Sequence, residues 1–455
     1  MKLSFGEISE ATGGRGVGKP LSGSMRIVTD TRSIQRGDAF IALRGERFDG
    51  ADFVDDAFDK GAALAIVSRE ETLGGHAGIV VDDTLRAYMA LGAAARAHTR
   101  AIVVAITGST GKTTTKSLLA QLLSIAGKKV AATPQNENNE IGVTKMLLAL
   151  EGDEEIAVVE MGCRHDGEIA ELVKIAQPHV GVLTNIGEAH LELFKTRERL
   201  AETKWGLFSG DAVAILNLDD SESRRRADSL KNTPGWFGAG AHDEGFPTPA
   251  TLIPTRHELV FVDDAGADAY RISTTLPGEH NLANLAAAAT VARVTEIEPQ
   301  TIADAIPSLT LPPGRYERMT LPGGARVVYD AYNASLSGTL ATLRAFASET
   351  ASRRIAVLGG MAELGDESPQ MHEQIGKAAK EFGIDVLLAG GEHAIAIVQG
   401  ALSAGMQKAV IVAYDNNNVA TDWLRANLRE GDAILLKGSR MYKMEEILAG
   451  VQARN

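Results

Sequence analysis

Residues 106–116 read Ile-Thr-Gly-Ser-Thr-Gly-Lys-Thr-Thr-Thr-Lys, directly after the apolar run Ala-Ile-Val-Val-Ala at 101–105. This order predicts a strand, a glycine-rich loop and a helix, the geometry that holds nucleotide phosphates at a helix N-terminus. The glycines let the backbone turn tightly so that its N–H groups face an anion, the lysine reaches the β- and γ-phosphates, and the next hydroxyl binds Mg²⁺. The motif is a shortened form, because Ile106 stands where the usual pattern has glycine. The predicted ATP-binding residues here are Gly108, Ser109, Thr110, Gly111, Lys112, Thr113 and Thr114.

The composition is that of a globular protein of several domains. The chain has 455 residues, of which 44% are hydrophobic and 23% charged, so about three domains are expected. The net charge of −13, with no basic block, argues against nucleic acid as a partner. The single cysteine, Cys163, suits a reducing compartment, and neither a secretory signal nor an apolar run of about 20 residues is present. We therefore expect a cytoplasmic monomer without membrane insertion.

Alternating strand and helix signals predict an α/β protein of three domains, at 1–84, 85–312 and 313–455. The first is expected to be a small α/β unit. The second contains the phosphate loop and predicts a doubly wound, mostly parallel sheet, with antiparallel edge strands near Glu258-Leu-Val-Phe-Val. The segment Leu311-Pro-Pro-Gly-Arg predicts an extended link that acts as a hinge. Strand runs beyond it predict a C-terminal Rossmann-like domain without a phosphate loop.

Chemical side chains follow two predicted strands of the central sheet. Glu160 ends the run Ile156-Ala-Val-Val, and His190 follows Val180-Gly-Val-Leu-Thr. Because ligands of open parallel sheets bind at the carboxyl ends of strands, both residues are aimed at the crevice of the phosphate loop. They are candidate Mg²⁺ neighbours there. Lys204, on the next predicted helix, has only the spacing of an ordinary solvated lysine.

Three further segments carry two interpretations each. Asn281 either caps the helix that it opens or pairs with the edge of adenine, and spacing does not separate these roles. Arg315 and Asp330-Ala-Tyr-Asn333 either close over nucleotide from the third domain or form surface turns. Lys437-Gly-Ser-Arg440 follows another predicted strand, and it either binds an anion or forms a surface turn.

Taken together, these segments resemble the Mur ligases, ATP-dependent amide-forming enzymes of bacterial cell-wall precursor synthesis, over about 400 residues. The stretches Thr133-Pro-Gln-Asn-Glu-Asn-Asn-Glu-Ile-Gly and Glu160-Met-Gly-Cys-Arg-His-Asp-Gly-Glu-Ile are typical of the branch that adds D-alanyl-D-alanine. Val357-Leu-Gly-Gly-Met-Ala-Glu-Leu-Gly and Asp330-Ala-Tyr-Asn-Ala favour the same branch.

The resemblance implies roles for individual residues. Lys112, Lys204 and His190 are the expected catalytic residues, and Lys204 matches a family lysine that CO₂ carbamylates. The expected metal ligands, for two Mg²⁺ ions, are Thr113, Glu160, His190 and Lys204. ATP would also contact Asn281, Arg315, Asp330 and Asn333. The expected contacts with the UDP-muramoyl peptide are Thr31, Arg32, Gly45, Asp49, Asn138 and Asn139.

The implied reaction joins D-alanyl-D-alanine to UDP-N-acetylmuramoyl-tripeptide through an acyl phosphate. Two alternatives stay open from the sequence: a relative that adds another amino acid or dipeptide, and a phosphate-loop NTPase or kinase. Lysine and diaminopimelate both fit the third position of the peptide.

Overall fold

Three successive stretches of the chain each build a sheet of their own. The computed structural model describes residues 1–19, 21–45, 48–188, 191–238, 250–253, 258–262 and 268–453. The predicted α/β class and its three-part organisation are confirmed, including the mostly parallel central sheet. The exact domain boundaries, after residues 84 and 312, stay predictions.

The N-terminal stretch forms a five-stranded sheet in the order β2-β7-β6-β5-β4, parallel except for β2, beside a small β1-β3 pair. Its inner strands are apolar and fully buried, as expected for a sheet that is covered on both faces. The elements are β1 (Leu3–Ser4), α1 (Phe5–Thr12), β2 (Arg15–Val17), β3 (Ser24–Met25), β4 (Ile27–Val28), β5 (Ala39–Ile41), α2 (Val54–Asp59), β6 (Leu64–Val67), β7 (Gly78–Val80) and α3 (Thr84–His98).

The central stretch forms a nine-stranded sheet in the order β16-β15-β14-β13-β12-β11-β8-β10-β9. Only the pairs of β15 with β14 and β16 are antiparallel, which confirms the predicted antiparallel edge. The elements are β8 (Ile102–Thr107), α4 (Lys112–Ile125), β9 (Val130–Ala132), α5 (Glu140–Ala149), β10 (Ile156–Glu160), α6 (Glu168–Ala176), β11 (Val180–Leu183), α7 (Leu191–Phe194), α8 (Arg197–Trp205), β12 (Val213–Asn217), α9 (Ser221–Arg226), β13 (Gly235–Gly238), β14 (Ala250–Ile253), β15 (Glu258–Val262), β16 (Asp268–Ser273), α10 (Glu279–Val294) and α11 (Pro299–Ala305).

Helices cover both faces of this sheet because alternate residues of its strands are apolar on each side. Val104 and Ile106 of β8 pack with α4 and α10 on one face. Val103 and Ala105 pack with α5 and α6 on the other. The central strand is therefore buried on both sides, and its carboxyl end delivers the phosphate loop at a fixed position.

The C-terminal stretch forms a six-stranded sheet in the order β17-β18-β22-β19-β20-β21, parallel except for β17. Apolar clusters lie on both of its faces. The elements are β17 (Glu317–Thr320), β18 (Arg326–Tyr329), α12 (Leu336–Ala347), β19 (Arg353–Leu358), α13 (Ser368–Glu381), β20 (Val386–Gly390), α14 (Ala394–Ser403), β21 (Ile411–Tyr414), α15 (Asn417–Asn427), β22 (Asp432–Lys437) and α16 (Met444–Gln452).

The predicted link at residues 311–315 contains neither helix nor strand. It is tied to the central unit just before the prolines, where the Gln121 amide donates to the Thr310 carbonyl at 2.8 Å. Motion about this link stays a prediction. Among the helices that the structure describes, none has the length and apolar character to cross a bilayer.

Candidate active site

The phosphate loop forms as the sequence predicts, between β8 and a helix that begins at Lys112. Lys112 Nζ folds back and donates to the Gly108 carbonyl at 2.7 Å. The first-turn N–H groups of α4 have no partner within the helix, so they are available to an anion. The loop is braced by Asn185, whose backbone carbonyl accepts from Ser109 N at 2.9 Å and whose amide oxygen accepts from Thr110 N at 3.1 Å.

Two positions of the loop require glycine for steric reasons. Gly108 has φ +149° and Gly111 has φ +83°. A Cβ atom would lie 1.9 Å from Thr184 Oγ1 at the first position and 2.4 Å from Asn284 Oδ1 at the second. Both the backbone conformation and the packing therefore exclude larger residues.

Glu160 contacts one of the other predicted metal ligands, Thr113. It ends β10 with a side chain only 1% exposed, and its Oε1 accepts from Thr113 Oγ1 at 3.1 Å and from Asn138 Nδ2 at 2.9 Å. Lys116 Nζ lies 3.0 Å from Glu160 Oε2 and is also buried. Lys116 was missed by sequence reasoning, although its position one helical turn beyond Lys112 was a usable signal.

Lys204 is not the solvated lysine that its local spacing predicts. Its side chain is 1% exposed, and its Nζ lies 3.2 Å from the Gly108 carbonyl and 3.6 Å from Cys163 Sγ. Helix α8 brings Lys204 into contact with Gly108, 96 residues away in the chain, and the local pattern around Lys204 cannot report such a contact. Burial, together with the nearby positive charge of Lys204, lowers the pKa of Lys112 to about 8.

A second cluster lies at the carboxyl ends of C-terminal strands β18 and β22. Lys437 Nζ lies 3.0 Å from the Asp330 carboxylate and donates to the Asn333 carbonyl at 3.1 Å. Burial opposes ionisation of Asp330, but Lys437 and the Thr342 hydroxyl outweigh it and lower the pKa of Asp330. Lys437 is thus a buried ion-pair partner, neither a surface turn nor a free anion-binding cation.

Arg315 and Tyr332 form the half-buried part of this cluster. Arg315 Cζ lies 4.3 Å from the centre of the Tyr332 ring, a cation–π contact. Arg315 Nε and the Tyr332 hydroxyl are both buried, and neither has a hydrogen-bond partner in the part of the chain that the structure describes. Tyr332 was missed by sequence reasoning, because nothing in its local spacing marks it. These unsatisfied polar atoms are available to a ligand.

Asn281 does not cap its helix, so that interpretation is wrong. Helix α10 begins two residues earlier at Glu279, and its cap residue is Gly278 with φ +77°. Asn281 lies in the first turn, 3% exposed, and its amide donates to the Pro277 carbonyl at 2.9 Å. Its side chain lines the cleft described next.

One cleft of about 1930 Å³ separates the phosphate loop from the C-terminal cluster. The sequence-predicted residues that line it are Ser109, Thr110, Gly111, Lys112, Thr113, Thr114, Asn138, Asn139, Glu160, Asn281, Arg315, Asp330 and Asn333. Gly108 is the first glycine of the loop, and Lys204 lies against it, with its Nζ 3.2 Å from the Gly108 carbonyl. His190, predicted as a catalytic residue and metal ligand, lies outside the described residues.

The predicted residues of the N-terminal domain do not line this cleft. Thr31 and Arg32 lie in a short 3₁₀ turn at the surface, where Arg32 pairs with Asp30 at 2.7 Å. Asp49 caps the turn at Gly50–Phe53, and Gly45 N donates to Phe48 O at 2.9 Å. Their role in binding the UDP-peptide stays a prediction.

Family models match almost all of the chain. Residues 26–105 match the Mur ligase family catalytic domain, 106–292 the Mur ligase middle domain, and 314–440 the Mur ligase glutamate ligase domain. This chain is a Mur ligase. The Mur ligase is 34% identical to the UDP-N-acetylmuramoyl-tripeptide–D-alanyl-D-alanine ligase of Escherichia coli strain K12, over 94% of this chain and 93% of that protein. It is 33% identical to the Bacillus subtilis protein of the same name, over 93% and 92%.

Solved structures agree with these sequence relatives. The Mur ligase superposes on crystal structure I of MurF from Acinetobacter baumannii with a TM-score of 0.88 and 30% identity, over 100% of this chain and 99% of that one. It superposes on MurF from Thermotoga maritima in complex with ADP with a TM-score of 0.82 and 30% identity, over 94% and 97%. The three-domain architecture is therefore that of this family.

Proposed function

We propose that this Mur ligase uses ATP to join D-alanyl-D-alanine to UDP-N-acetylmuramoyl-tripeptide in peptidoglycan precursor synthesis, as a cytoplasmic monomer. The observation that carries this proposal is the cleft itself. One wall holds a phosphate loop beside buried Glu160, and the other holds Arg315, Asp330 and Asn333. The D-alanyl-D-alanine ligases of Escherichia coli and Bacillus subtilis support the same activity, and the ADP complex of MurF from Thermotoga maritima supports the same nucleotide.

The reaction has two steps, phosphoryl transfer and amide formation. The tripeptide carboxylate attacks the γ-phosphorus of ATP, which breaks the bond to the β-phosphate oxygen and gives an acyl phosphate and ADP. The acceptor amine then attacks the acyl carbon, loses a proton, and phosphate leaves through a tetrahedral intermediate. Closure of the C-terminal wall would exclude the water that would otherwise hydrolyse the acyl phosphate.

Lys112 acts on the phosphoryl oxygens in this scheme. Its Nζ already lies inside the loop, bonded to the Gly108 carbonyl, so binding only exchanges that acceptor for a phosphate oxygen. The bound anion restores a full positive charge on a group whose free pKa is about 8. Asn281, Arg315, Asp330 and Asn333 would contact the rest of the nucleotide, while Asn138 and Asn139 face the UDP-peptide.

The residues around Glu160 fit Mg²⁺. Thr113 supplies a hydroxyl oxygen and Glu160 a buried carboxylate at a phosphate site, and hard oxygen ligands of this kind are those Mg²⁺ prefers. Bound Mg²⁺ would neutralise charge that develops on the transferred phosphoryl group. We propose that His190 and Lys204 hold a second ion.

Carbamylation would remove the repulsion between the buried positive charges of Lys204 and Lys112. As an ammonium group it is buried beside another cation, Lys112. A neutral Lys204 amine that adds CO₂ becomes a carbamate and releases one proton, which replaces a buried cation with an oxygen ligand of negative charge. The proposal is that this carbamate helps hold the second Mg²⁺.

Phosphate release tests the function. Purified protein, ATP and Mg²⁺ are assayed with UDP-muramoyl-tripeptide, in its lysine and diaminopimelate forms, with and without D-alanyl-D-alanine. We expect phosphate release that requires both substrates and a UDP-pentapeptide product by mass. Release without an amine acceptor would indicate an NTPase, and release with other amines alone would indicate a different acceptor.

Two variants test the assigned lysines. Lys112→Ala should abolish ligation, and near-normal turnover would refute its role. Lys204→Ala should be inactive and partly rescued by short carboxylates such as formate, which can occupy the space of the carbamate. Full activity of Lys204→Ala without rescue would refute carbamylation.

A further inference from the structure

Three cations of the C-terminal domain line the cleft: Arg315, Lys437 and Arg440. Lys437 is neutralised by Asp330 at 3.0 Å, and Arg315 is assigned to the nucleotide. Arg440 has no carboxylate within ion-pair distance among the residues that the structure describes, and its side chain makes no hydrogen bond to them. Its guanidinium is therefore unpaired among the described residues, and it lies in a cleft where the proposed acceptor, D-alanyl-D-alanine, would bring a carboxylate.

The backbone around Arg440 is held firmly by neighbouring strand ends. Ser439 N donates to the Gly360 carbonyl at 2.9 Å, and the Ser439 hydroxyl donates to Asn333 Oδ1 at 3.2 Å. Lys443 N donates to the Arg440 carbonyl at 3.1 Å and closes a 3₁₀ turn. The exposed side chain thus projects from a rigid base rather than from a loose loop.

Tyr332 lies beside two arginines of this wall, Arg315 and Arg440. Arg440 Cζ lies 5.9 Å from the Tyr332 ring centre, and Arg315 lies closer on the same ring. The hydroxyl of Tyr332 is buried and has no hydrogen-bond partner among the described residues. Tyr332, Arg440 and Glu160 line the same cleft, so a ligand held at Arg440 and Tyr332 shares this cleft with the phosphoryl site.

We propose that Arg440, with the Tyr332 hydroxyl, binds the carboxylate of the incoming D-alanyl-D-alanine. This inference rests on the proposed function, because it names how that function's acceptor is recognised. A guanidinium binds a carboxylate through two parallel hydrogen bonds, and the phenol donates a third. The amine and carboxylate of an extended dipeptide are roughly 6 Å apart. The distance from Arg440 Cζ to the centre of the Tyr332 ring is similar, 5.9 Å.

This arrangement orients the acceptor as well as binding it. With its carboxylate at Arg440, the dipeptide can extend its amine into the cleft that Glu160 and the phosphate loop also line. The same contact selects against amines without a carboxylate, since the Tyr332 hydroxyl and the guanidinium would then stay unpaired. Arg440 is thereby a specificity-determining residue for the second step.

The test is Arg440→Gln in the full-length enzyme, with steady-state kinetics for all three substrates. We expect KM for D-alanyl-D-alanine to rise roughly 10- to 100-fold, the range for loss of a charge-assisted contact, with KM for ATP and for UDP-peptide unchanged. Arg429→Gln is the matched control, because Arg429 is an exposed arginine just before the opposite end of β22. ADP binding by each variant verifies that the nucleotide site is intact.

Acceptor amides make the assignment specific. For wild-type enzyme, KM for D-alanyl-D-alaninamide should exceed KM for the free acid by the same factor by which Arg440→Gln raises KM for the acid. For Arg440→Gln, KM should be the same for the amide and the acid. Equal loss on both acceptors, or a raised KM for ATP or UDP-peptide instead, would overturn the inference. If Arg440→Gln does not fold, Arg440→Lys carries the test, with a smaller rise in KM for the acid and none for the amide.

Failure of the proposed function is a different result. In that case wild-type enzyme releases no phosphate in response to D-alanyl-D-alanine, and the acceptor inference falls with it. If wild-type enzyme ligates D-alanyl-D-alanine while Arg440→Gln matches it for acid and amide alike, only the acceptor inference is refuted.

Discussion

Replacing Lys116 by methionine removes one charge from the buried centre of the active site and keeps most of the side-chain volume. Glu160 would stay 1% exposed with its Oε2 without a cation, while Thr113 and Asn138 still donate to Oε1. Breaking one side of a buried ion pair costs about 3–5 kcal/mol. Because those two hydrogen bonds to Glu160 survive, we expect the lower end, about 3 kcal/mol of the free energy of unfolding.

Calorimetry of the full chain in EDTA measures this loss. For a domain the size of the central unit, about 3 kcal/mol lowers Tm by roughly 6–12 °C. Lys128→Met is the matched control, since Lys128 forms a partly exposed pair with Glu155 at 2.8 Å and should change stability by less than about 1 kcal/mol. The reasoning is refuted if both substitutions lower Tm by the same small amount. Added Mg²⁺ should stabilise Lys116→Met more than wild type, because the cation supplies the charge that Glu160 has lost.

Two further predictions concern the phosphate loop. Because the pKa of Lys112 is lowered to about 8, ADP affinity should be full below pH 8 and fall as pH rises above it, as titration calorimetry from pH 6.5 to 9.5 can measure. Lys112→Arg, which stays charged, should bind ADP without this fall, and a flat wild-type profile would contradict the assignment. Gly111→Ala should weaken ADP binding at least tenfold, whereas Gly127→Ala, just beyond the other end of α4, should leave ADP binding unchanged. The two glycines have nearly the same φ, +83° and +82°, but only at Gly127 does an added Cβ have open space. Equal ADP affinities in the two variants would show that the contact at Gly111 is unimportant.

The sequence alone predicts those parts of the site that depend on local order. A strand, a glycine-rich loop and a helix follow one another between Ile102 and Ile125, and α4 begins at Lys112 as expected. Glu160 could be placed beside the loop because parallel strands present their carboxyl ends at one edge. The strand register then fixes the position of Glu160, because β10 pairs directly with β8 and Glu160 lies opposite Ile106.

The remaining features depend on contacts between distant segments. Tyr332 matters through Arg315 and Arg440, and Lys204 through a loop 96 residues away; neither has a local signature. Asn281 shows a different limit, since an asparagine near a helix start is a good cap only at one position. The glycine at 278 takes that position, which moves the asparagine into the first turn.

The two walls of the cleft belong to different domains, connected through the short link at 311–315. When one molecule contacts both walls, its second contact becomes an intramolecular event, with an effective concentration that depends on the spacer between its two ends. A bisubstrate inhibitor that joins a phosphate mimic for the loop to a carboxylate for Arg440 would gain affinity from this geometry. That gain is greatest when the spacer matches the distance between the walls, and it is lost when the spacer is too short to reach both.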